Sequence, residues 1–444
     1  MLRKSTRHLN KWKTKKNHKP LVVRGARQVG KSHLVREFGK KEFQTYWELN
    51  FERSPELADF FKSADPKKCV ELLEIHFKTP FVKNQTLLFL DEIQTVPTLL
   101  PLLRYFYEEL PELHVIATGS MLDFLLSDHD FSMPVGRIEY LHLGPMTFEE
   151  FLLAMGENQL LQFVENWNLQ TQIPAPIHTS LMNLVKKFCV IGGMPEAILT
   201  YVQTQSFAQT EEIKHNILAT YQDDFGKYKT RVDHVLLTKV FRKLPLHVAE
   251  KIKYVNLDRE RTAKEVAHIL DLFTMARLIY QVQHSSANGS PLGAQTNDKI
   301  FKLLFLDVGL VSSLCGLTLV DFEKVDDLIL INQGKISEQY VGQHLLGLTP
   351  ATQTPELYYW LRENKSSGAE VDYLLTSGQN IVPVEVKSGK SGWLKSMQIF
   401  ANEKNTKLAL RINNQQPQIE ELNYKLLSLP FYLLEQIPRL LQEQ

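Results

Sequence analysis

The sequence has few cysteines, almost no net charge and no long apolar run. Its three cysteines, Cys69, Cys189 and Cys315, lie far apart and match neither a disulfide framework nor the spacing of metal ligands. The net charge of +1 gives no reason to expect that the whole molecule attracts nucleic acid or a membrane surface. No segment approaches the ~20 apolar residues that span a bilayer, and the basic N-terminus is not followed by the apolar segment of a signal peptide. We therefore expect a protein of the reducing cytoplasm that stays off membranes.

The length of the chain predicts several domains, because 444 residues are too many for one compact core. Residues 1–19 form a basic leader without Asp or Glu, which is either a solvated helix or an arm that binds phosphate. From residue 20 to about 150, short apolar runs alternate with helix-length segments, the pattern of a parallel α/β sheet. One of these segments, His33 to Phe38, is a predicted helix that Gly39 ends.

The rest of the chain predicts two further kinds of structure. Residues 151–215 form a helical lid region, because strand signals vanish there. Residues 216–325 contain a capping box at 262–265, an apolar helix face and then two strands. This order indicates a winged-helix unit, which either docks on DNA or serves as a packing module. Residues 326–444 return to α/β structure and include a hairpin around residues 377–380. The predicted fold class is therefore multi-domain α/β.

Residues 25–32, Gly-Ala-Arg-Gln-Val-Gly-Lys-Ser, lie between a predicted strand and a predicted helix. This pattern forms a P-loop, whose backbone N–H groups curl around phosphates. Lys31 then reaches the β- and γ-phosphate oxygens, and the Ser32 hydroxyl coordinates Mg²⁺. The positive N-terminal end of the following helix adds to phosphate binding. We predict an ATP·Mg²⁺ site that comprises Gly25, Ala26, Arg27, Gln28, Val29, Gly30, Lys31, Ser32 and His33.

A second acidic element supports the same chemistry. Leu87 to Leu90 is an apolar strand that ends in Asp91 and Glu92. Asp91 is predicted to hold Mg²⁺ through Ser32 or through water, and Glu92 to orient or polarise the attacking water. The alternative is a buried strand that ends in two solvated carboxylates.

Three further residues are candidates for contact with the γ-phosphate. Thr118 follows the next predicted strand and is the first sensor candidate, with Ser120 second; either one could instead cap a helix. Arg137 is a candidate arginine finger, acting in its own chain or on a neighbouring copy in an oligomer. A structural ion pair is the alternative role for Arg137.

The C-terminal region carries a different constellation. Glu385 and Lys387 end an apolar strand and share one face of it, while Asp372 lies on the preceding strand and Glu338 on the helix before that. Metal-dependent nucleases of the Asp…Glu-x-Lys type use such a set. We therefore predict Glu338, Asp372 and Glu385 as Mg²⁺ ligands and Lys387 as a catalytic residue, with Gln398 orienting that lysine.

These motifs together closely resemble a prokaryotic family of AAA-like P-loop ATPases with a C-terminal domain of unknown function numbered 4143. The stretches that carry the resemblance are 25–32, 90–94, 117–122, 135–140, 192–196, 221–228, 301–310 and 368–373. The resemblance covers nearly the whole chain. It implies an ATPase core, a helical and winged-helix middle, and a C-terminal fold like that of restriction endonucleases.

Two functions are compatible with these residues. The first is an ATP-hydrolysing switch that controls a nuclease-like, DNA-directed module. The second is a nucleotide-gated switch that binds a protein partner and whose nuclease-like fold does not cleave. Residues 326–444 contain eleven Lys or Arg against thirteen Asp or Glu, which is less basic than a DNA-gripping nuclease usually is.

Overall fold

The computed structural model describes residues 2–120, 122, 124, 134, 136–227, 233–324, 334–362, 368–387 and 394–443. By its internal contacts the chain divides into two units. The first unit comprises Met1–Gly144 and two short later segments, Met275–Arg277 and Pro350–Thr354; the second unit comprises Pro145–Thr274, Leu278–Thr349 and Pro355–Gln444. The domain limits expected near residues 19, 150, 215 and 325 stay predictions.

The first unit alternates strands and helices along the chain, as predicted. Its elements are α1 (Ser5–Lys13), β1 (Leu21–Arg24), α2 (Lys31–Glu42), β2 (Thr45–Asn50), α3 (Pro66–Phe77), β3 (Thr86–Asp91), α4 (Leu103–Glu109), β4 (His114–Gly119) and β5 (Glu139–His142).

The five strands of the first unit form one sheet in the order β2-β3-β4-β1-β5. Every strand pairing is parallel, and all residues of β3 and β4 are buried, as expected for strands covered on both faces. The prediction of a parallel α/β sheet is thus confirmed. Because β4 lies between β1 and β3, the carboxyl ends of these strands meet at one edge, where ligands bind in such sheets.

Helix α2 shows why a glycine is a weak stop signal. The helix was expected to end at Gly39, but it continues to Glu42, so that prediction was wrong. A Cβ atom on Gly39 would lie 2.5 Å from ring carbons of Tyr46 on β2. The glycine therefore allows the helix to approach the sheet closely.

The basic N-terminal segment packs on the first unit. On α1, Leu9 and Trp12 are buried. Arg3 donates from Nη1 to the carbonyl of Val29 at 2.9 Å and from Nη2 to that of Gly144 at 2.8 Å. This arginine therefore braces the loop in which the predicted phosphate-binding residues lie.

Two stacked histidines lie under this segment and predict acid sensitivity. The rings of His18 and His114 are parallel with centroids 3.7 Å apart. Burial, and then the neighbouring His18, lower the pKa of His114 from 6.5 to about 4. The folded state therefore keeps His114 neutral while the unfolded state takes up a proton, so stability is lost as the pH falls from 6.5 towards 4.

We expect His114→Phe to make the unfolding midpoint of the first unit less dependent on pH over this range. Across this pH range, the free energy of unfolding is expected to fall by about 2–3 kcal/mol more in the wild type than in the variant. Urea unfolding at pH 7, 5.5 and 4.5, followed by tryptophan fluorescence, measures this difference, since the buried Trp12 and Trp47 report on the first unit. Equal pH dependence in the variant and the wild type would show that His114 is not the group responsible.

The second unit begins with helices and ends in a large sheet. Its elements are α5 (Phe148–Ala154), α6 (Asn158–Asn166), α7 (Ala175–Ile191), α8 (Pro195–Thr204), α9 (Phe207–Asp224), α10 (His234–Lys243), α11 (Tyr254–Leu257), α12 (Ala263–Met275), β6 (Ile279–Ser285), β7 (Thr296–Phe305), α13 (Val308–Leu314), α14 (Leu319–Glu323), α15 (Lys335–Gly347), β8 (Leu357–Leu361), β9 (Glu370–Ser377), β10 (Asn380–Val386), α16 (Lys395–Lys404), β11 (Leu408–Asn413), β12 (Gln418–Glu421), β13 (Lys425–Pro430) and α17 (Ile437–Gln442).

The sheet of the second unit is mixed and has eight strands in the order β12-β13-β11-β10-β9-β8-β6-β7. The predicted hairpin is present, since β9 and β10 pair antiparallel with Ser377 opposite Asn380. The ribbon of β6 and β7, expected as the wing of a winged helix, pairs antiparallel and continues this sheet through β8. The winged-helix assignment itself stays a prediction. Within the described ranges, no helix has the length and apolar character needed to cross a bilayer.

A buried aspartate links two of the motif stretches in the second unit. Asp307 is fully buried and accepts hydrogen bonds from the backbone N–H of Gly193 at 2.6 Å, of Gly309 at 3.0 Å and of Leu310 at 3.1 Å. The last two bonds cap the N-terminus of α13, and the first holds the turn between α7 and α8. These stretches, 192–196 and 301–310, therefore have a structural role.

Candidate functional site

The loop between β1 and α2 has the shape that its glycines allow. A Cβ atom on Gly25 would lie 2.1 Å from the carbonyl oxygen of Leu143, so only glycine fits this close approach. Gly30 has φ 91° and Gln28 has φ 63°, the left-handed conformation that turns the loop back on itself. Helix α2 begins at Lys31, directly after Gly30, so its N-terminal N–H groups face the loop.

Lys31 lies inside this loop. Its side chain is 5% exposed, and its Nζ donates to the carbonyl oxygens of Gly25 at 3.0 Å and Ala26 at 2.8 Å. Burial lowers the pKa of Lys31 from 10.5 to about 8, against the raising effect of Glu92 and Asp91. The ammonium is thus bonded to two neutral carbonyls, and a negatively charged phosphate would be a stronger partner.

Asp91 is the centre of the polar network at the end of β3. Its Oδ1 accepts from the hydroxyls of Ser32, at 2.7 Å, and Thr118. Its Oδ2 accepts from Asn50 Nδ2 at 2.9 Å and from Arg36 Nη2 at 3.2 Å. The structure therefore brings together Ser32, Asp91 and Thr118, which were predicted from three separate motifs.

Glu92 follows Asp91 in a left-handed conformation with φ 54°, which is unusual for a residue with a side chain. Its Oε2 accepts hydrogen bonds from Gln94 Nε2 and from Ser120 Oγ, the latter at 3.3 Å. Both donors hold the same oxygen. The carboxylate is therefore fixed in direction by protein groups at the edge of the sheet.

The remaining predicted residues of this site are exposed or have other partners. Arg137 is on the surface, where its Nε donates to Glu108 Oε1 at 2.7 Å; Arg104 bonds the same carboxylate at 3.0 Å. Arg27 pairs with Glu52 at 3.3 Å, and His33 is exposed. The roles of these residues in nucleotide binding stay predictions.

The C-terminal candidates gather in a second, separate cluster within the second unit. Lys387 Nζ lies 3.1 Å from Glu385 Oε1, and the backbone N–H of Val386 donates to Asp372 Oδ2 at 2.8 Å. Glu338 approaches from α15, where Tyr373 donates its hydroxyl hydrogen to the Glu338 carbonyl at 2.8 Å. Gln398, by contrast, is exposed.

The electrostatics of this cluster come from burial and from like charges. Burial, followed by repulsion from Asp372, raises the pKa of Glu338 to about 8 and that of Glu385 to about 8. Although burial acts to lower it, the neighbouring Glu338, Asp372 and Glu370 raise the pKa of Lys302 above its usual value. Over the described residues, no group of three or more His, Cys, Asp or Glu side chains is arranged to hold a metal ion. The predicted metal ligands therefore stay a prediction.

Sequence reasoning missed several residues of both sites. Asn50 and Arg36 bond Asp91, and Gln94 bonds Glu92. Asn50 could have been found from its position, because it is a polar residue at the end of β2. In the parallel register it lies directly opposite Asp91. Lys302 could also have been found, since it is a single lysine within the apolar run Ile-Phe-Lys-Leu-Leu-Phe-Leu.

Three stretches of the chain match family models. Residues 17–152 match that of an AAA domain. This match identifies the N-terminal region as an AAA domain. Residues 182–321 and 333–432 match two domains of unknown function, numbered 8612 and 4143. The resemblance to AAA-like ATPases with a domain 4143 at the C-terminus is thus confirmed, while the likeness to restriction endonucleases stays a prediction.

Comparison with solved structures adds relatives of low similarity. A Walker-type ATPase of Pyrococcus abyssi is 14% identical over 70% of this chain and 94% of its own, with a TM-score of 0.42. An ORC protein of Aeropyrum pernix, solved in complex with DNA, is 11% identical over 71% of this chain and 93% of its own, with a TM-score of 0.29. No curated protein matches the chain.

Proposed function

We propose that this chain is an ATP-hydrolysing switch in which the AAA-type domain binds ATP with Mg²⁺ and the second unit carries the output. The observation that supports this proposal best is the network at Asp91. There the hydroxyls of Ser32 and Thr118 bond one carboxylate oxygen, next to the loop that contains Lys31. A purely structural carboxylate at a strand end would not need hydroxyls from two other motifs around it.

The oxygen atoms at this edge fit Mg²⁺. Ser32 supplies a hydroxyl oxygen and Asp91 a carboxylate, the type of ligand that Mg²⁺ takes alongside phosphate oxygens and water. These two residues would hold the ion, which neutralises phosphate charge when it is bound. Arg36 and Asn50 would keep the second oxygen of Asp91 in place, since they already bond it.

The protein groups have separate roles in the proposed reaction. The backbone N–H groups of residues 25–32 and the start of α2 bind the phosphates. Lys31 exchanges its two carbonyl partners for phosphate oxygens, and Thr118 senses the γ-phosphate. Glu92, held through Oε2 by Gln94 and Ser120, presents Oε1 to the attacking water and orients it.

Arg137 provides a test of assembly. It is 45% exposed at its side chain and pairs with Glu108, and an exposed arginine is available to a neighbouring copy. If Arg137 acts on a neighbour, mixing the Arg137→Ala and Lys31→Ala proteins is expected to restore part of the ATPase activity that each lacks alone. Steady-state phosphate release measures this. Full activity of Arg137→Ala by itself would assign Arg137 a structural role in the pair with Glu108.

Two versions of the output remain distinct: a DNA-directed nuclease and a binding module that does not cleave. The cluster of Glu338, Asp372, Glu385 and Lys387 supports the first version. The presence of Lys302 among the same carboxylates supports the second, and we favour the second for that reason. Its partner would then be a protein, or DNA that is bound and not cut.

The experiment that tests the function measures ATP turnover by the full chain with Mg²⁺, with and without duplex DNA, together with nicking of supercoiled DNA. The switch proposal requires ATP binding and slow turnover, and it fails if calorimetry detects no ATP binding. Nicking by the wild type that disappears in Lys387→Ala would establish the nuclease version. Equal nicking by both proteins would instead indicate a contaminating nuclease.

A further inference from the structure

The second unit contains a lysine that is almost completely buried. Lys302, on β7, is 1% exposed. Its Nζ lies 3.8 Å from Glu338 Oε2 and 3.9 Å from Asp372 Oδ1, and it forms a closer ion pair with Glu370. Burying a lysine is costly unless nearby groups balance its charge. Here three carboxylates, one from α15 and two from β9, converge on the same ammonium.

An aromatic ring and the sheet fix the position of this ammonium. The Nζ lies 5.1 Å from the centroid of the Tyr359 ring, a distance at which the ring face attracts a cation. Tyr359 is itself fully buried. The backbone of Lys302 pairs with that of Val282 on β6, which joins the edge strand β7 to the eight-stranded sheet. The charge is therefore placed by a rigid strand and is not carried by a mobile surface chain.

The predicted metal ligands already have protein partners. Asp372 directs Oδ1 towards Lys302 and accepts the Val386 N–H through Oδ2. Glu385 pairs through Oε1 with Lys387. Its Oε2 is buried without a hydrogen-bond partner among the described residues, and Glu338 directs its own Oε2 towards Lys302 at 3.8 Å. Each of the three carboxylates thus has an oxygen directed at a lysine ammonium, which leaves too few oxygens for the ligand shell of a divalent ion. As arranged, these donors do not fit Mg²⁺.

We propose that Lys302 is a built-in cation that takes the place of a divalent ion in this acidic cluster. An ammonium among Glu338, Glu370 and Asp372 offsets part of their negative charge and occupies the point on which they converge. It also repels a second cation from that point. The second unit then needs no metal to keep the cluster together. The inference is independent of ATP binding, because it concerns contacts within the second unit only.

Manganese titration of the full chain without nucleotide tests this, since Mn²⁺ prefers the same oxygen ligands as Mg²⁺. Bound Mn²⁺ is measured by the loss of the free-ion paramagnetic resonance signal. All proteins carry Asp91→Asn, which removes the carboxylate at the P-loop edge as a competing ligand. The test compares this background with the same protein carrying Lys302→Met, and with a third that carries Lys302→Met and Asp372→Asn.

We expect no saturable Mn²⁺ binding in the background protein. Lys302→Met is expected to create one Mn²⁺ site, with affinity at least ~10-fold tighter than any residual binding, because three carboxylates then lack their cation. Addition of Asp372→Asn should remove that site again. Failure of a folded Lys302→Met protein to gain a site would overturn the proposal, since the carboxylates would not form a cation position.

If circular dichroism shows that Lys302→Met does not fold, the proposal is tested with Lys302 in place. The comparison is then between the background protein and the background protein that carries Asp372→Asn. One Mn²⁺ bound by the background protein and lost on Asp372→Asn would show that a metal binds beside Lys302, and would refute the proposal. Identical, non-saturable titrations of these two proteins would support it.

Discussion

Replacing Lys31 with alanine is expected to abolish measurable ATP binding while the protein stays folded. In the structure the Lys31 ammonium is buried in the loop and bonded to two carbonyls, so it needs only to exchange partners to meet a phosphate. Hydrogen bonds between charged groups contribute about 1.5–3 kcal/mol each. The loss of two such bonds to phosphate predicts a fall in affinity of about 100- to 10,000-fold.

The matched control is Lys40→Ala, because Lys40 lies on the same helix, α2, and is exposed. Lys40→Ala should bind ATP with the affinity of the wild type. Calorimetry in the presence of Mg²⁺ measures this affinity. A thermal unfolding scan of both variants separates loss of binding from loss of fold. If Lys31→Ala bound ATP with wild-type affinity, the assignment of residues 25–32 as the phosphate site would be wrong.

The nucleotide site could be predicted in advance because its signals are local. The P-loop needs glycine at fixed spacing, and Gly25 is required by its 2.1 Å approach to the Leu143 carbonyl. Asp91 and Glu92 end a strand so apolar that it had to be buried. Parallel pairing then places the ends of β1, β3 and β4 at one edge, and this is how residues distant in sequence meet.

The parts that sequence did not predict depend on tertiary contacts. Strand β5 is four residues long and only partly buried, so its apolar pattern is too weak to detect. Gly39 indicated a helix end, but its role is contact with Tyr46. The apolar residues around Lys302 indicate that this lysine is buried, but its carboxylate partners become evident only in the fold, where β7, α15 and β9 come together.

Glu92→Gln is expected to separate ATP binding from hydrolysis. The substitution keeps an oxygen that can accept the hydrogen bonds from Gln94 and Ser120, so the side chain should stay in place. What it removes is the negative charge at the position from which Glu92 would orient water. Because a positioned general base contributes about 100- to 10,000-fold to a rate, turnover should fall at least ~100-fold while ATP affinity is retained.

This outcome is measured by phosphate release for kcat and by calorimetry for the ATP dissociation constant, on the same preparation. Glu37→Gln is the control, since Glu37 is an exposed carboxylate on α2 and the substitution changes the charge by the same amount. An unchanged kcat in Glu92→Gln would move the role to another residue. A parallel loss of affinity and kcat would instead mean that Glu92 supports the nucleotide site as a whole, because only a group that acts on the attacking water lowers kcat while binding persists.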